Sequence, residues 1–458
     1  MKFKLLLIAL CCLPFGVNSA ETESKVHEKV LKNGLKILIK EDRRSPVVVT
    51  QIWYKVGSSY EPNGITGISH MLEHMMFKGT KKYPAGEFSK IIAENGGNEN
   101  AFTGQDYTAY FQTLEKSRLE ISFKLEADRM RNLHLLKEEL VKELEVVTEE
   151  RRMRTDDKPR AKTYEHFMAM AFSNSPYKNP VIGWPSDISA YQVDDLEAWY
   201  QRWYAPNNAT LVVVGDIEAE KVFALAEKYF AGFKAEVIKP LKPQLEIEQH
   251  GVRKMTLKLP AKLPYLIMGY KVPVLNTLDD DSEAYALEVL AGILDGGNSA
   301  RLSKHLVRGQ QIAVSASAGY SLAARLDDLL TLSATPVEGK TIEELEAALK
   351  VEVKLLQTEL VGQDELQRIK AQVLAGAVYQ RDSNFYQAML LGMMETVGIG
   401  WQEMDHYIEN VNKITAEQVR DVAIKYLIDD KLSIAYLDPQ PITKPSKPAS
   451  IAGARHAN

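Results

Sequence analysis

Cysteine is nearly missing from this 458-residue chain: its only two, Cys11 and Cys12, fall within the first twenty residues. With that leader removed, no disulfide, thiolate nucleophile or cysteine-bound metal is available. Long apolar runs are also scarce. The run from Leu5 to about Val17 is shorter than the roughly 18 residues a spanning helix needs, and no later segment approaches that length. In "MKFKLLLIALCCLPFGVNSA" it is preceded by Lys2 and Lys4 and followed by the small residues Ser19 and Ala20. Residues 1–20 therefore read as a secretory signal peptide ahead of a mature chain without a membrane span. Neither Leu10 nor Cys11 suits the position before a lipidated cysteine, which argues against a lipoprotein. A basic excess is absent too: 56 Lys and Arg stand against 61 Asp and Glu, and the formal charge of −5 becomes −7 without Lys2 and Lys4. This balance excludes the concentrated positive surface of a nucleic-acid or anionic-membrane binder.

What is present suits a folded protein of two or more domains, with 45% hydrophobic and 26% charged residues. Strand runs "LKILIK" and "VVVTQIWYKV" precede the stretch "GISHMLEHMMFKGT". Alternating strand character returns in "GGNENAFTGQDYTAYFQTL", and a charged helical stretch from about Ser117 to Arg154 is broken near Asn132. The helix "VDDLEAWYQRWY" places Leu196, Trp199, Tyr200 and Trp203 on one face, with the strand "NATLVVVGDI" after it. Val419, Val422, Ala423 and Tyr426 repeat that spacing 223 residues later, ahead of "KLSIAYLDP". The repeat predicts an internal duplication, although helix followed by strand also recurs in unrelated α/β chains. The predicted division is a first domain over 24–236, a Pro-containing linker over 237–250, a second domain over 251–438 and a disordered tail over 439–458.

At about 100° per residue, His70, Glu73 and His74 share one face of a helix, while Ile68, Met71, Leu72 and Met75 share the opposite one. Two neutral imidazoles one turn apart can reach one metal ion. Zinc accepts them with a carboxylate as third ligand, leaving the fourth position for water. Paired surface histidines are the plainer alternative. In "KEELVKELEVVTEERRMR", Glu143 and Glu150 lie two turns apart on a face with Val146 and Val147, whereas Glu145 and Glu149 point away. A carboxylate beside valines needs a compensating cation. Zinc would compensate Glu150, and Glu143 would suit an outer position that orients a ligand; an acidic helix can also place two glutamates seven apart by chance.

His70, Glu73 and His74, followed some 75 residues later by Glu150 in "ELEVVTEE", resemble the inverted-motif zinc peptidases of the pitrilysin family, M16. The resemblance extends through "NGGNENAFTGQDYTAYF", "YAPNNATLVVVGDI" and "DGGNSARLSKHLVR", nearly the whole mature chain. It implies an α+β fold of two homologous M16-type domains, each a mainly antiparallel sheet packed with helices. It implies one Zn2+ per chain held by His70, His74 and Glu150, with Glu73 taking a proton from the zinc-activated water and returning it to the leaving amine. It also implies an extended substrate beside Asn100, Ala101, Phe102 and Thr103, which would offer main-chain hydrogen bonds; an ordinary strand is the alternative there.

The second half has no His-x-x-Glu-His string; with "EVLAGILDGG" as the counterpart of the zinc helix, Leu287 just before it and Leu290 and Ala291 within it fall near the ligand positions. Relatives use a second-half arginine and tyrosine to hold substrate. Tyr320 and Arg325 do not match that spacing and read as surface or packing residues. The gap favours a heterodimer with a metal-free homologous chain over a homodimer. The expected function is thus a zinc metalloendopeptidase acting on peptides or unfolded polypeptides in the cell envelope, most readily the periplasm. The alternative is a non-catalytic peptide-binding or assembly subunit of an M16-type complex, which would have no need of Glu73. A structural zinc site would fill all four positions with protein ligands. The other seven histidines are scattered without metal spacing.

Overall fold

Each half of the chain lays down the same sheet. The computed structural model describes residues 25–442, so the expected signal peptide and residues 443–458 of the expected tail lie outside the described residues. The first half supplies β1 (Val26–Val30), β2 (Lys36–Glu41), β3 (Val47–Tyr54), β4 (Asn98–Thr103), β5 (Thr108–Glu115) and β6 (Ala209–Gly215). The second supplies β7 (Arg253–Pro260), β8 (Tyr265–Val272), β9 (Ala313–Gly319), β10 (Asp328–Pro336) and β11 (Leu432–Gln440). Their orders are β1-β2-β6-β3-β5-β4 and β7-β11-β8-β10-β9. Without β1 these are one order. In both, the last strand of the half pairs parallel on one side and antiparallel on the other: β6 with β2 and β3, β11 with β7 and β8. A shared sheet order with shared strand directions is far more demanding than helix followed by strand, and it accounts for the repeat. The architecture is α+β, in two domains of like plan.

Leu196, Trp199, Tyr200 and Trp203 are buried along the helix Val193–Trp203, and their counterparts Val419, Val422, Ala423 and Tyr426 along Ala416–Tyr426. Each helix leads through a short 3-10 turn into an interior strand of its sheet, β6 or β11. The apolar run of β6 is buried throughout because both faces of its sheet are covered. Leu211 and Val213 face the first domain's own core, whereas Val212 and Val214 face Ala388 and Leu391 of the second-half helix Asn384–Val397. The reverse crossing is made by the first-half helix Pro159–Ala171, whose Phe167, Met168 and Ala171 pack on Ile267, Leu329 and Ala435 of the second sheet. The halves thus exchange one helix each, and neither sheet is fully covered without the other domain.

Both crossings rely on a missing side chain. A Cβ on Gly269 would come 2.7 Å from the Phe167 ring, and one on Gly392 would come 2.1 Å from Nε1 of Trp53. Trp53 is fully buried, and its Nε1 donates to Gln51 Oε1 at 2.9 Å, so it has little room to yield. In an exposed helix, Gly→Ala adds roughly 0.5–1 kcal/mol of stability. Here overpacking reverses the sign, and Gly392→Ala is expected to cost about 1–3 kcal/mol, read as a lower midpoint in urea unfolding; an unchanged or higher midpoint would contradict the crossing.

Three details differ from the sequence reading. The stretch before "VVVTQIWYKV" holds β1 as well as β2, the added strand pairing antiparallel along the edge. β11 continues to Gln440, because Pro439 and Gln440 still pair with Leu259 and Pro260, so the first two residues of the expected tail belong to the sheet. Residues 237–250 carry no helix or strand, yet they are pinned. Glu246 accepts hydrogen bonds from the backbone N–H groups of Ser173, Asn174 and Ser175 at 2.8–2.9 Å and from Lys271 Nζ at 2.7 Å, which joins the linker to both halves.

Candidate metal centre

The helix Ile68–Met75 starts at Gly67, whose φ of 86° and close approach to the Ile182 carbonyl exclude a side chain. A glycine N-cap offers no capping oxygen, so the free N–H groups of the first turn need another acceptor. Glu61 supplies it, accepting from Gly67 N at 2.5 Å and Ser69 N at 2.8 Å. Burial raises the Glu61 carboxyl to about 7, against the pull of those two bonds. The apolar face of Ile68, Met71, Leu72 and Met75 enters the first core, while His70, Glu73 and His74 look into a cavity of about 1220 Å³.

The helix Lys137–Arg151 brings Glu143 and Glu150 against the two histidines. Glu150 Oε2 lies 3.3 Å from His74 Nε2 and 3.6 Å from His70 Nε2. It is buried with no hydrogen-bond partner. Its other oxygen, Oε1, is held by Arg154 at 2.8 Å. At zinc–ligand distances of about 2.0–2.1 Å, two ligands at the tetrahedral angle stand about 3.3–3.4 Å apart, and two imidazole nitrogens with one carboxylate oxygen are a donor set that zinc accepts. The residues fit that ion. Among the described residues His70, His74 and Glu150 are the one such convergent group, with ligand atoms within 4.8 Å of one another. The corresponding second-half helix, Ser282–Asp295, has Leu287 and Leu290 fully buried and Ala291 half-buried, with no metal-binding chemistry at those positions.

Glu143 Oε1 lies 3.0 Å from His74 Nδ1, fixing the ring with Nε2 towards Glu150, and Glu143 also pairs with Lys78. Burial disfavours charge on both imidazoles. It takes His70 down to about 3, with His74 adding to the effect, whereas the carboxylates of Glu143, at 3.0 Å, and Glu150, at 3.3 Å, override burial and raise His74 to about 9. Burial also opposes ionisation of Glu150, but the His74 ring at 3.3 Å and the neighbouring positive charges bring it to about 2. His74 lies between Glu143 and Glu150, which Lys78 and Arg154 also pair, and a dication bound here would displace a proton held at that position.

One expectation about this helix is corrected. Val147 is buried, at 1% exposure, but Val146 is 49% exposed and lines the cavity. The helix is covered only along a narrow band centred on Glu143, Val147 and Glu150, and Val146 lies at its rim, 60° from Glu143 around the axis by the helical period.

Strand β4, which carries Asn100 to Thr103, is the edge of its sheet and forms another wall of the cavity. Its two faces differ. Phe102 stacks edge-on against Trp53 and Tyr107, whereas the Thr103 hydroxyl donates to Glu73 Oε2 at 2.5 Å. This bond occupies one oxygen of the carboxylate and leaves the other available. Burial raises Glu73 to about 7, the Thr103 bond opposing that rise. No local pattern marks the Thr103 contact, since strand and helix meet only in the fold. Arg154, four residues after Glu150, was open to reading from helical spacing alone. Replacing Thr103 by Val preserves its shape and frees the Glu73 oxygen; if Glu73 is the base, kcat should fall several-fold with zinc content unchanged, and a wild-type kcat would show that the bond is dispensable.

Residues 36–184 match the family model described as insulinase (peptidase family M16), and residues 190–373 match that described as the peptidase M16 inactive domain. The zinc protease PqqE of Helicobacter pylori is 38% identical over 292 residues, 63% of this chain and 65% of that protein. The uncharacterized zinc protease YmxG of Bacillus subtilis is 25% identical over 409 residues, 89% of this chain and 97% of that protein. Among solved structures, a protease from Helicobacter pylori superposes with a TM-score of 0.85 at 31% identity, over 91% of this chain and 100% of that one. The periplasmic protease PqqL from Escherichia coli gives a TM-score of 0.77 at 19% identity, over 91% of this chain and 48% of that one. No helix among the described residues is long and apolar enough to cross a membrane.

Proposed function

Because the chain belongs to peptidase family M16, we propose that it is a zinc-dependent endopeptidase hydrolysing peptides or unfolded polypeptides, with Glu73 as general base. The observation that carries this reading is the meeting of His70, His74 and the orphaned Glu150 oxygen in one cavity with a buried, hydrogen-bonded Glu73. One zinc ion held by His70, His74 and Glu150 would supply Lewis acidity, lowering the pKa of water and polarising a carbonyl. Glu73 accepts the proton of the attacking water and delivers it to the leaving amine; a carboxyl raised to about 7 is suited to both transfers near neutral pH. Thr103 fixes the carboxylate, while Glu143 holds the His74 ring.

The free edge of β4 supports the assignment of Asn100, Ala101, Phe102 and Thr103 to substrate binding. An edge strand can add one extended segment by main-chain hydrogen bonds, which favours unfolded chains over any one side-chain sequence. Residues 1–20 as a secretory leader support a periplasmic location. This chain spans about half of PqqL, which supports a working unit built of two such chains, and we favour a metal-free homologous partner over a second identical copy. A non-catalytic assembly subunit would have no use for a base held beside a complete ligand set.

The test is mass spectrometry of a mixed library of unstructured peptides incubated with the zinc-loaded mature chain and with Glu73→Gln. Products from the wild type alone support the reading, and equal products from both would overturn it. Silence from a wild type that holds zinc would shift the reading to an assembly that needs its second chain.

A further inference from the structure

We infer that Arg325 is a positioning residue through which the metal-free half sets the geometry of the Glu73 site. It stands in the connection between β9 and β10, residues 320–327 of the second half, and it is not the surface or packing residue its sequence context suggests. Its Nε donates to Asp106 Oδ1 at 3.2 Å, and its Nη2 donates to Ser59 Oγ at 2.8 Å and to the Ser59 carbonyl at 3.2 Å. Its guanidinium lies 4.5 Å over the Tyr60 ring. Its backbone N–H reaches Asp106 Oδ2 at 3.1 Å and the Tyr177 hydroxyl at 3.0 Å. Tyr320, by contrast, donates to the Pro273 carbonyl within its own half.

The partners of Arg325 form one satisfied cluster. Asp106 is buried and accepts also from the Ser59 and Tyr177 hydroxyls. Tyr177 donates to Asp106 and accepts from the N–H groups of Arg325 and Leu326, so its proton and both lone pairs are used. A network with every member satisfied is stiff, and removing one charged member leaves a buried partner unpaired.

Two short paths lead from this cluster to Glu73. Asp106 belongs to the turn 104–107 that ends β4. That turn is laced to the segment 57–61 by Ser58 N–H to the Gly104 carbonyl at 3.2 Å and Ser59 N–H to the Gln105 carbonyl at 2.8 Å. Thr103, which holds the Glu73 carboxylate, immediately precedes the turn. Ser59 lies two residues before Glu61, which holds the start of the helix carrying His70, Glu73 and His74. The base is therefore clamped from its strand side and its helix side by elements that both meet at Arg325. Through Arg325 the second half, which has no counterpart of the His70, His74 and Glu150 group among the described residues, is thereby tied to the position of Glu73.

The inference deepens the peptidase reading, and two separate readouts distinguish its failure from the failure of that reading. The full mature chain is compared as wild type, Arg325→Met, Arg325→Lys and Asp106→Asn. Amide hydrogen exchange should show lost protection in residues 57–75 and 98–107 in Arg325→Met, with the strands of the second sheet unchanged. This arm holds whether or not the chain cleaves peptides. In the kinetic arm, a small misplacement at a reacting centre predicts a fall in kcat on the order of 10- to 100-fold, with zinc content intact, KM moving less than kcat, and Arg325→Lys intermediate. If Arg325→Met unfolds throughout, Asp106→Asn, which keeps the side-chain shape, decides on the same two segments. Unchanged exchange in those segments, or a wild-type kcat in a folded variant, would overturn the inference.

Discussion

Glu73→Gln is expected to lower peptide turnover by about 10²–10⁴-fold, the range assigned to a positioned general base, while leaving bound zinc at the wild-type level. The amide keeps the shape of the carboxylate and an oxygen that can accept the Thr103 hydroxyl, so the contact at 2.5 Å can survive. What it lacks is the capacity to take a proton. His70, His74 and Glu150 are unaltered by the change, and Glu73 is outside the group whose ligand atoms converge within 4.8 Å. Parallel measurement of kcat and metal content separates the two roles. A variant that lost zinc together with activity would move Glu73 into the metal's own support, and one that retained activity would remove it from the chemistry.

The second large effect concerns the metal. Glu150→Gln should weaken zinc binding by more than Glu143→Gln, for which loss of an outer partner predicts a drop of about 10–100-fold. Glu150 presents an unpaired buried oxygen between two imidazoles, and the amide removes the negative charge that would balance the ion. Glu143 acts through His74, so its loss loosens one ring and leaves the donor set complete. Competition with a chromophoric chelator ranks the two variants. The reverse order would mean that the orientation of His74 matters more than the carboxylate.

Local periodicity made part of this site legible in the sequence. His70, Glu73 and His74 share a face because the helix sets it, and Glu143 and Glu150 fall on the same band two turns apart. The duplication was legible through two apolar quartets at one spacing, because each buries against its own core. The contacts that require tertiary structure were not legible. Thr103 meets Glu73 across 30 residues, and Arg325 meets Asp106 across 219. Val146 went astray because periodicity gives direction around a helix but not the width of the groove that covers it. The exchange of helices was hidden for a similar reason: the apolar residues of Asn384–Val397 show that the helix must be covered, but not that β3 and β6 of the other half cover it.

The most direct measurement is a zinc titration of the zinc-free mature chain, with hydrolysis of an unstructured peptide followed at each addition and Glu73→Gln run alongside. The account predicts turnover that rises with zinc and levels at one ion per chain, with the variant taking up the same ion and hydrolysing almost nothing. A chain that takes up no zinc through His70, His74 and Glu150, or whose turnover is indifferent to zinc, would contradict it.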